Sequence, residues 1–433
     1  MRYRCRALAV IAMAGLGRPA TAAHMAVDAP ELAAPGPYPV GLRSLRLTEP
    51  PGPDVFAVDR AADPLPIRAR PIQIDIWYPA RVTRGRRAVY RGRFPAEQPG
   101  HSVSFSTTGS ALASPPPRRG ERYPLVVMSH GYSGTPAAMA WLAENLASKG
   151  YVVAGPHHED PPITATAAFG AVAYQRPVDV AFTLRTLKAR AGGGDRLLSG
   201  LIDPDRTALI GYSMGGYGAL TVAGARLSPP FAATTPGALL SRYAAGGADP
   251  EGLQATGLRA VVAISPFGGT GGAWGPEGMA ALRTPTLFIV GDHDRTVGYA
   301  PGVRSLFDQA VNAPRWMLVF REAGHALGMG ETPPEMRRRL WDLDWFEDPV
   351  WRKSRVMAIS AHMITAFLNF EVKGRAASAA YLDLAPRSDE GPVWAPRGSY
   401  DLVGPGGDSP TWKGFHRGHA AGLEMWRATP APP

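Results

Sequence analysis

From Tyr123 onward, short all-apolar runs alternate with helix-forming stretches, and this alternation constrains the fold most. Leu125–Met128, Tyr151–Ala154, Thr207–Gly211, Leu258–Ile264, Thr286–Val290 and Trp316–Phe320 read as strands with apolar character on both faces. Between and after them, helices are expected at Pro177–Arg190, Met214–Ala225, Arg304–Val311 and Trp351–Val372. One more is expected where Thr135 can cap, Pro136 can open and Gly150 can close a helix. Strands buried on both faces and separated by helices imply a mostly parallel central sheet with helices on both faces. Upstream, Val40–Leu47 and Ile72–Tyr78 read as strands; in the second, Ile72, Ile74, Ile76 and Tyr78 share one face. They are expected as antiparallel N-terminal edge strands.

The chain holds 50 glycines and 44 prolines without a G-X-Y period, which excludes a collagen-like chain and points to long irregular connections. Residues 23–122 form an N-terminal extension with the first strands and a long surface loop at 81–122. Residues 123–372 are expected as the core of alternating strands and helices, with 226–257 as a lid-like insertion. Residues 373–433 are expected as an irregular extension packed back on the core. The net charge of +10 comes almost entirely from scattered arginines, and no nucleic-acid-binding signature is present, so a dispersed solvated surface is the reading.

Arg2, Arg4 and Arg6 precede the apolar run Ala7–Gly17, and Ala20-Thr21-Ala22 fits a small-x-small cleavage site. Residues 1–22 therefore read as a secretory signal, too short to span a bilayer, and a periplasmic or secreted location is expected. Removal of 1–22 takes away Arg2, Arg4, Arg6 and Arg18 and lowers the formal charge from +10 to +6. It also removes Cys5, the single cysteine, and with it disulfides, thiolate catalysis and cysteine metal sites. No other stretch is apolar for long enough to span a membrane.

The central motif is Gly211-Tyr212-Ser213-Met214-Gly215, set between an apolar strand and a helix. Small residues at 211, 215 and 216 permit the sharp turn of a nucleophile elbow, which lifts Ser213 to a helix N-terminus. Partners are expected in the order acid, then histidine. Gly291-Asp292-His293-Asp294 follows one strand and Gly324-His325 the next, so both leave the same sheet edge as Ser213. Ser213 is the candidate nucleophile, His325 the general base and acid, and either Asp294 or Asp292 the orienting carboxylate. Asp294 suits the turn better, and Asp292 is the candidate loop cap. The oxyanion amides are expected at Met214 and, from the loop Ser129–Gly134, at Tyr132. Tyr132, His157 and Phe267 are the candidate substrate-binding side chains. His157-His158-Glu159-Asp160 invites a metal reading, but adjacent residues rarely converge on one ion, so no metal and no cofactor are expected.

These motifs resemble the α/β-hydrolase superfamily. The chain looks most like the secreted branch of predicted dienelactone hydrolases and platelet-activating-factor acetylhydrolase-like proteins. The matching pieces are Ile74–Ala80, Ser129–Tyr132, Gly150–Val153, Gly211–Gly216, Gly291–Asp294 and Gly324-His325. The Gly131–Gly134 loop is also similar to the oxyanion loop of bacterial cutinase-type polyester hydrolases. The resemblance favours Asp294 as the acid. It implies an α/β-hydrolase fold and serine carboxylic-ester hydrolysis of small or medium esters. A lipid acetyl-ester or polyester substrate, or acyl transfer or peptide cleavage by the same triad, are the alternatives. Two departures narrow it: dienelactone hydrolases proper use cysteine where Ser213 stands, and the usual C-terminal disulfide of bacterial polyesterases cannot form here.

Overall fold

Successive residues of the central strands enter two different cores, which is why the strands carry no polar face. Leu125, Val127, Leu209, Val261, Phe288 and Val290 bury into one core, and their neighbours Val126, Met128, Ile210, Val262, Leu287 and Ile289 into the other. The computed structural model describes residues 26–57, 64–158, 160–249, 252–388, 412–416 and 418–430. The expected signal segment 1–22 lies outside them.

Among the described residues eleven strands form one sheet: β1 Val40–Pro53, β2 Ile67–Pro79, β3 Arg87–Pro95, β4 Ser102–Ala113, β5 Tyr123–Ser129, β6 Val152–Pro156, β7 Ile202–Tyr212, β8 Leu258–Ile264, β9 Thr286–Gly291, β10 Arg315–Phe320 and β11 Leu423–Ala428. Their order is β11-β10-β9-β8-β7-β5-β6-β2-β1-β4-β3. From β6 through β5, β7, β8 and β9 to β10 every neighbouring pair is parallel, while β1–β2 and β2–β6 are antiparallel. Helices α2 (Phe169–Gly192) and α3 (Met214–Val222) cover one face. Helix α1 (Ala140–Ser148) and the long helix Lys353–Glu371 cover the other.

Several expectations are corrected. The 81–122 segment is not a loop: β3 and β4 form an antiparallel hairpin that carries the sheet edge outward past β1. The C-terminal extension is not wholly irregular, because β11 pairs antiparallel with β10 along its length. Helix α2 begins at Phe169 rather than at Pro177, so the proline lies inside it. Pro177 has no N–H to give the Ala173 carbonyl one turn back. The Tyr217 hydroxyl donates to that carbonyl instead, at 3.0 Å. The 226–257 insertion folds as the short helical pieces Pro229–Ala233 and Pro236–Tyr243, whose Phe231, Leu240 and Tyr243 bury into the core beside α2 and α3.

The turn from β7 into α3 leaves no room for side chains at its glycines. A Cβ at Gly215 would stand 2.1 Å from the Ser129 carbonyl oxygen, and one at Gly211 would stand 2.1 Å from the Gly215 oxygen. Backbone on both sides cannot yield, so Gly215→Ala is expected to cost about 1–3 kcal/mol of overpacking. Thermal unfolding of the purified variant checks this; an unchanged midpoint contradicts it.

Candidate active site

Ser213 sits at the top of β7 with φ of +55° and ψ of −119°, a conformation that non-glycine residues rarely hold. Its neighbours hold it there: Ser213 N–H donates to the Ile264 carbonyl at 2.9 Å, and its own carbonyl accepts from Gly216 and Phe267. The side chain is thereby pushed out at the carboxyl edge of the sheet.

His325 follows β10. Its Nε2 lies 3.0 Å from Ser213 Oγ, and its Nδ1 lies 2.7 Å from Asp294 Oδ2. Asp294 follows β9 and is 3% exposed. Its other oxygen accepts from the Thr296 and Val297 amides at 2.9 and 3.1 Å. Burial pushes the Asp294 carboxyl upward, but the His325 hydrogen bond, the His325 charge and the Val297 amide outweigh it and hold the group below its ordinary value. Asp292 takes the role of loop cap: Oδ1 accepts from the Glu322 amide and faces His293 Nδ1 at 2.8 Å. Of the two acids, Asp294 is the one that reaches His325.

The loop that carries His325 is tethered at three points. Gly324 N–H donates to Asp348 at 2.7 Å, Tyr212 Oη–H donates to the His325 carbonyl at 3.2 Å, and buried Lys353 donates to the Ala326 carbonyl at 2.7 Å. The Tyr212 ring also lies against the imidazole, with centroids 5.2 Å apart. These anchors come from two distant segments, the end of β7 and residues 348–353 at the start of the last helix, and nothing local in the sequence marks them.

A cavity of about 280 Å³ opens over Ser213 and His325. Of the three candidate substrate-binding side chains, Tyr132 lines it. His157 and Phe267 do not. His157 turns to Asp75, with Nε2 at 2.9 Å from Oδ2. Phe267 packs edge-on against Phe169 with centroids 5.3 Å apart. Among the described residues of 226–257, none lines the cavity. The far wall comes from segments not expected to contribute. Phe94 of the β3–β4 hairpin meets Trp345 at 4.9 Å between ring centroids, and Trp341 donates from Nε1 to the Pro95 carbonyl at 3.2 Å. Ile163, Met139 and Met329 complete an apolar lining. The spacing of Trp341 and Trp345, four residues apart, is a sequence signal for two indoles on one side of a helical turn.

His158 and Asp160 are buried behind the Ser129–Gly134 loop, tied to Asp179 and Arg176. They and His157 therefore point to different protein partners rather than toward one another.

The fold is that of an α/β-hydrolase. A ferulic acid esterase from Streptomyces cinnamoneus superposes with a TM-score of 0.50 at 19% identity, over 80% of this chain and 94% of that one. The family model described as PETase, PET hydrolase-like, matches residues 87–244, about a third of the chain. Cutinase est1 of Thermobifida alba is 33% identical over 110 residues, 25% of this chain and 33% of that protein. Cutinase 2 of Thermobifida cellulosilytica is 34% identical over 110 residues, 25% of this chain and 38% of that protein. The chain thus matches about a third of the length of these cutinases. No helix among the described residues is long and apolar enough to cross a membrane.

Proposed function

We propose that this chain is a serine carboxylic-ester hydrolase that works through an acyl-enzyme. The observation that carries the reading is His325, which bridges Ser213 and buried Asp294 at 3.0 and 2.7 Å. His325 Nε2 takes the Ser213 proton as Oγ attacks the ester carbonyl. Asp294 holds Nδ1 protonated, so Nε2 faces the serine as a base, and it stabilises the imidazolium that forms. The developing oxyanion is held by the amides of Met214, in the first turn of α3, and Tyr132. His325 then gives its proton to the leaving alkoxide, which departs as the alcohol. Water, deprotonated by the same imidazole, attacks the acyl-enzyme, and the imidazolium returns the proton to Ser213 Oγ as the acid is released.

Small or medium esters are the first choice of substrate, since the cavity is apolar and compact. Polyester is the second, supported by the match to the PET hydrolase-like family model and by the cutinases. A p-nitrophenyl ester series of increasing chain length, run beside an insoluble polyester film, separates them. Turnover confined to the soluble esters excludes polyester, and no turnover of any ester refutes the reading. Partition of the acyl group between water and an added alcohol tests hydrolysis against acyl transfer. Export, with 1–22 as a signal, is part of the proposal; a mature N-terminus at residue 23 in secreted or periplasmic protein checks it.

Trp345 packs on Phe94 and faces the cavity. Trp345→Ala is expected to lower kcat/KM about tenfold, mainly through KM, because it removes a contact made equally in ground and transition states. A chain-length series on the variant reads this out. An unchanged KM contradicts it.

A further inference from the structure

Behind the active site lies a second Ser–His–Asp chain with nearly the same spacing as the first. Ser129 Oγ is 2.8 Å from His158 Nε2, and His158 Nδ1 is 2.7 Å from Asp179 Oδ2. All three residues are no more than 1% exposed, so no ester can reach Ser129. The chain ends instead on the loop that supplies the Tyr132 amide.

Asp179 accepts from His158 Nδ1–H, which leaves Nε2 to accept from the Ser129 hydroxyl. The His158 backbone N–H donates to His130 Nε2 at 3.4 Å. His130 therefore carries its proton on Nδ1 and donates it to the Gly131 carbonyl at 2.7 Å. Gly134 N–H donates to the same carbonyl at 3.1 Å. Two further anchors hold the loop on either side: buried Arg176 donates to the His130 carbonyl and pairs with Asp160, and Asp160 accepts from the Ser133 amide at 3.0 Å.

The Gly131 carbonyl and the Tyr132 N–H belong to one peptide plane. In a trans peptide they point in opposite directions, so fixing the carbonyl fixes the amide. That plane runs beside the nucleophile, since a Cβ on Gly131 would stand 3.5 Å from Ser213 Cβ. We propose that His130 is a positioning residue: its imidazole, held by the backbone N–H of His158, whose side chain is fixed in the buried Ser129–His158–Asp179 chain, pins the Gly131 carbonyl and so aims the Tyr132 amide at the oxyanion. Burial, with the Arg176 guanidinium nearby, pushes the His130 imidazole well below its ordinary range and so favours the neutral ring that donates from Nδ1.

This inference rests on the ester-hydrolase reading. The test compares wild type, His130→Phe and His130→Asn by kcat, KM and the affinity of an alkylboronic acid, which forms a tetrahedral adduct on Ser213. His130→Phe keeps an aromatic ring but has no donor. It is expected to lower kcat by 10²–10³-fold, the usual effect of losing one oxyanion donor, with KM nearly unchanged. Boronate affinity falls by a similar factor. Asparagine places an N–H donor close to the position of Nδ1, so His130→Asn is expected to recover at least tenfold. The pH profile keeps its shape in all variants. If His130→Phe fails to fold by circular dichroism, Gly134→Ala takes its place. A Cβ there would press to 3.1 Å from the Gly131 oxygen and 3.3 Å from His130 Nδ1, with the same expected loss of kcat. A variant with wild-type kcat and boronate affinity, or a loss confined to KM, overturns the inference alone. A wild-type protein that neither labels with a fluorophosphonate nor hydrolyses esters overturns the ester-hydrolase reading and this inference with it.

Discussion

Ser213→Ala is expected to lower ester turnover on the order of a million-fold while the protein stays folded. The two halves of this expectation have separate causes. Turnover is lost because Oγ is the atom that forms the acyl bond, and no other hydroxyl is held against the His325 imidazole among the described residues. Stability is retained because alanine keeps a Cβ and the backbone constraint at φ of +55° does not change. The Ser213 amide and carbonyl hydrogen bonds to Ile264, Gly216 and Phe267 survive the substitution. A p-nitrophenyl ester assay beside a thermal melt reads both. Wild-type turnover in the folded variant refutes the nucleophile assignment, and a residual rate above that of water is expected from the oxyanion amides alone.

Asp294→Asn is expected to lower kcat by roughly 10⁴-fold, whereas Asp292→Asn changes it little. An asparagine at 294 is able to present its N–H₂ to Nδ1, which places the imidazole proton on Nε2, where it cannot accept the serine proton. Asp292 is engaged by the Glu322 amide and by His293 and does not reach His325, so its loss is a local loop effect. Equal losses in the two variants, or a larger loss at 292, refute the assignment. A stability signature accompanies it. The Asp294 carboxyl is held below its ordinary value in the folded protein. Its stabilising contribution is therefore complete above the ordinary carboxylate range and fades as pH falls through the lowered value. The melting-point gap between wild type and Asp294→Asn is thus expected to narrow on acidification.

Much of the site is legible in the amino-acid sequence. The elbow is readable because Gly211, Gly215 and Gly216 bracket a serine between an apolar strand and a helix, and that local pattern has few other uses. Asp294 and His325 are readable because each follows an apolar run, and parallel strands deliver all such positions to one edge. Turn position and resemblance favour Asp294 over Asp292, but the contact that distinguishes them is not in the sequence. Two residues apart in one turn, they differ only in which oxygen reaches His325 and which meets the Glu322 amide.

The segments that depart from expectation share one cause: their partners are remote in the chain. The 81–122 region is rich in arginine and serine because β3 and β4 alternate exposed and buried residues at the rim of the sheet, as in the run from Arg87 to Phe94. Its role as a cavity wall depends on Phe94 meeting Trp345 of a distant segment. His157 and Phe267 are expected near the substrate because each follows a strand at the correct edge. Asp75 draws the first aside, and Phe169 packs against the second.

Local order along the chain determined the strand and helix sequence, the elbow and the chain order of the proposed nucleophile, acid and base. These follow from apolar periodicity and from glycine at a turn that excludes Cβ atoms. Tertiary structure alone decided which aromatics wall the cavity and how the Gly131–Tyr132 peptide is oriented, and it brings Asp294, the acid the resemblance favours, into contact with His325. Each of those depends on side chains or backbone groups from separate segments meeting within a few ångströms. Sequence spacing does not encode such distances; the packing of the two cores around the sheet does.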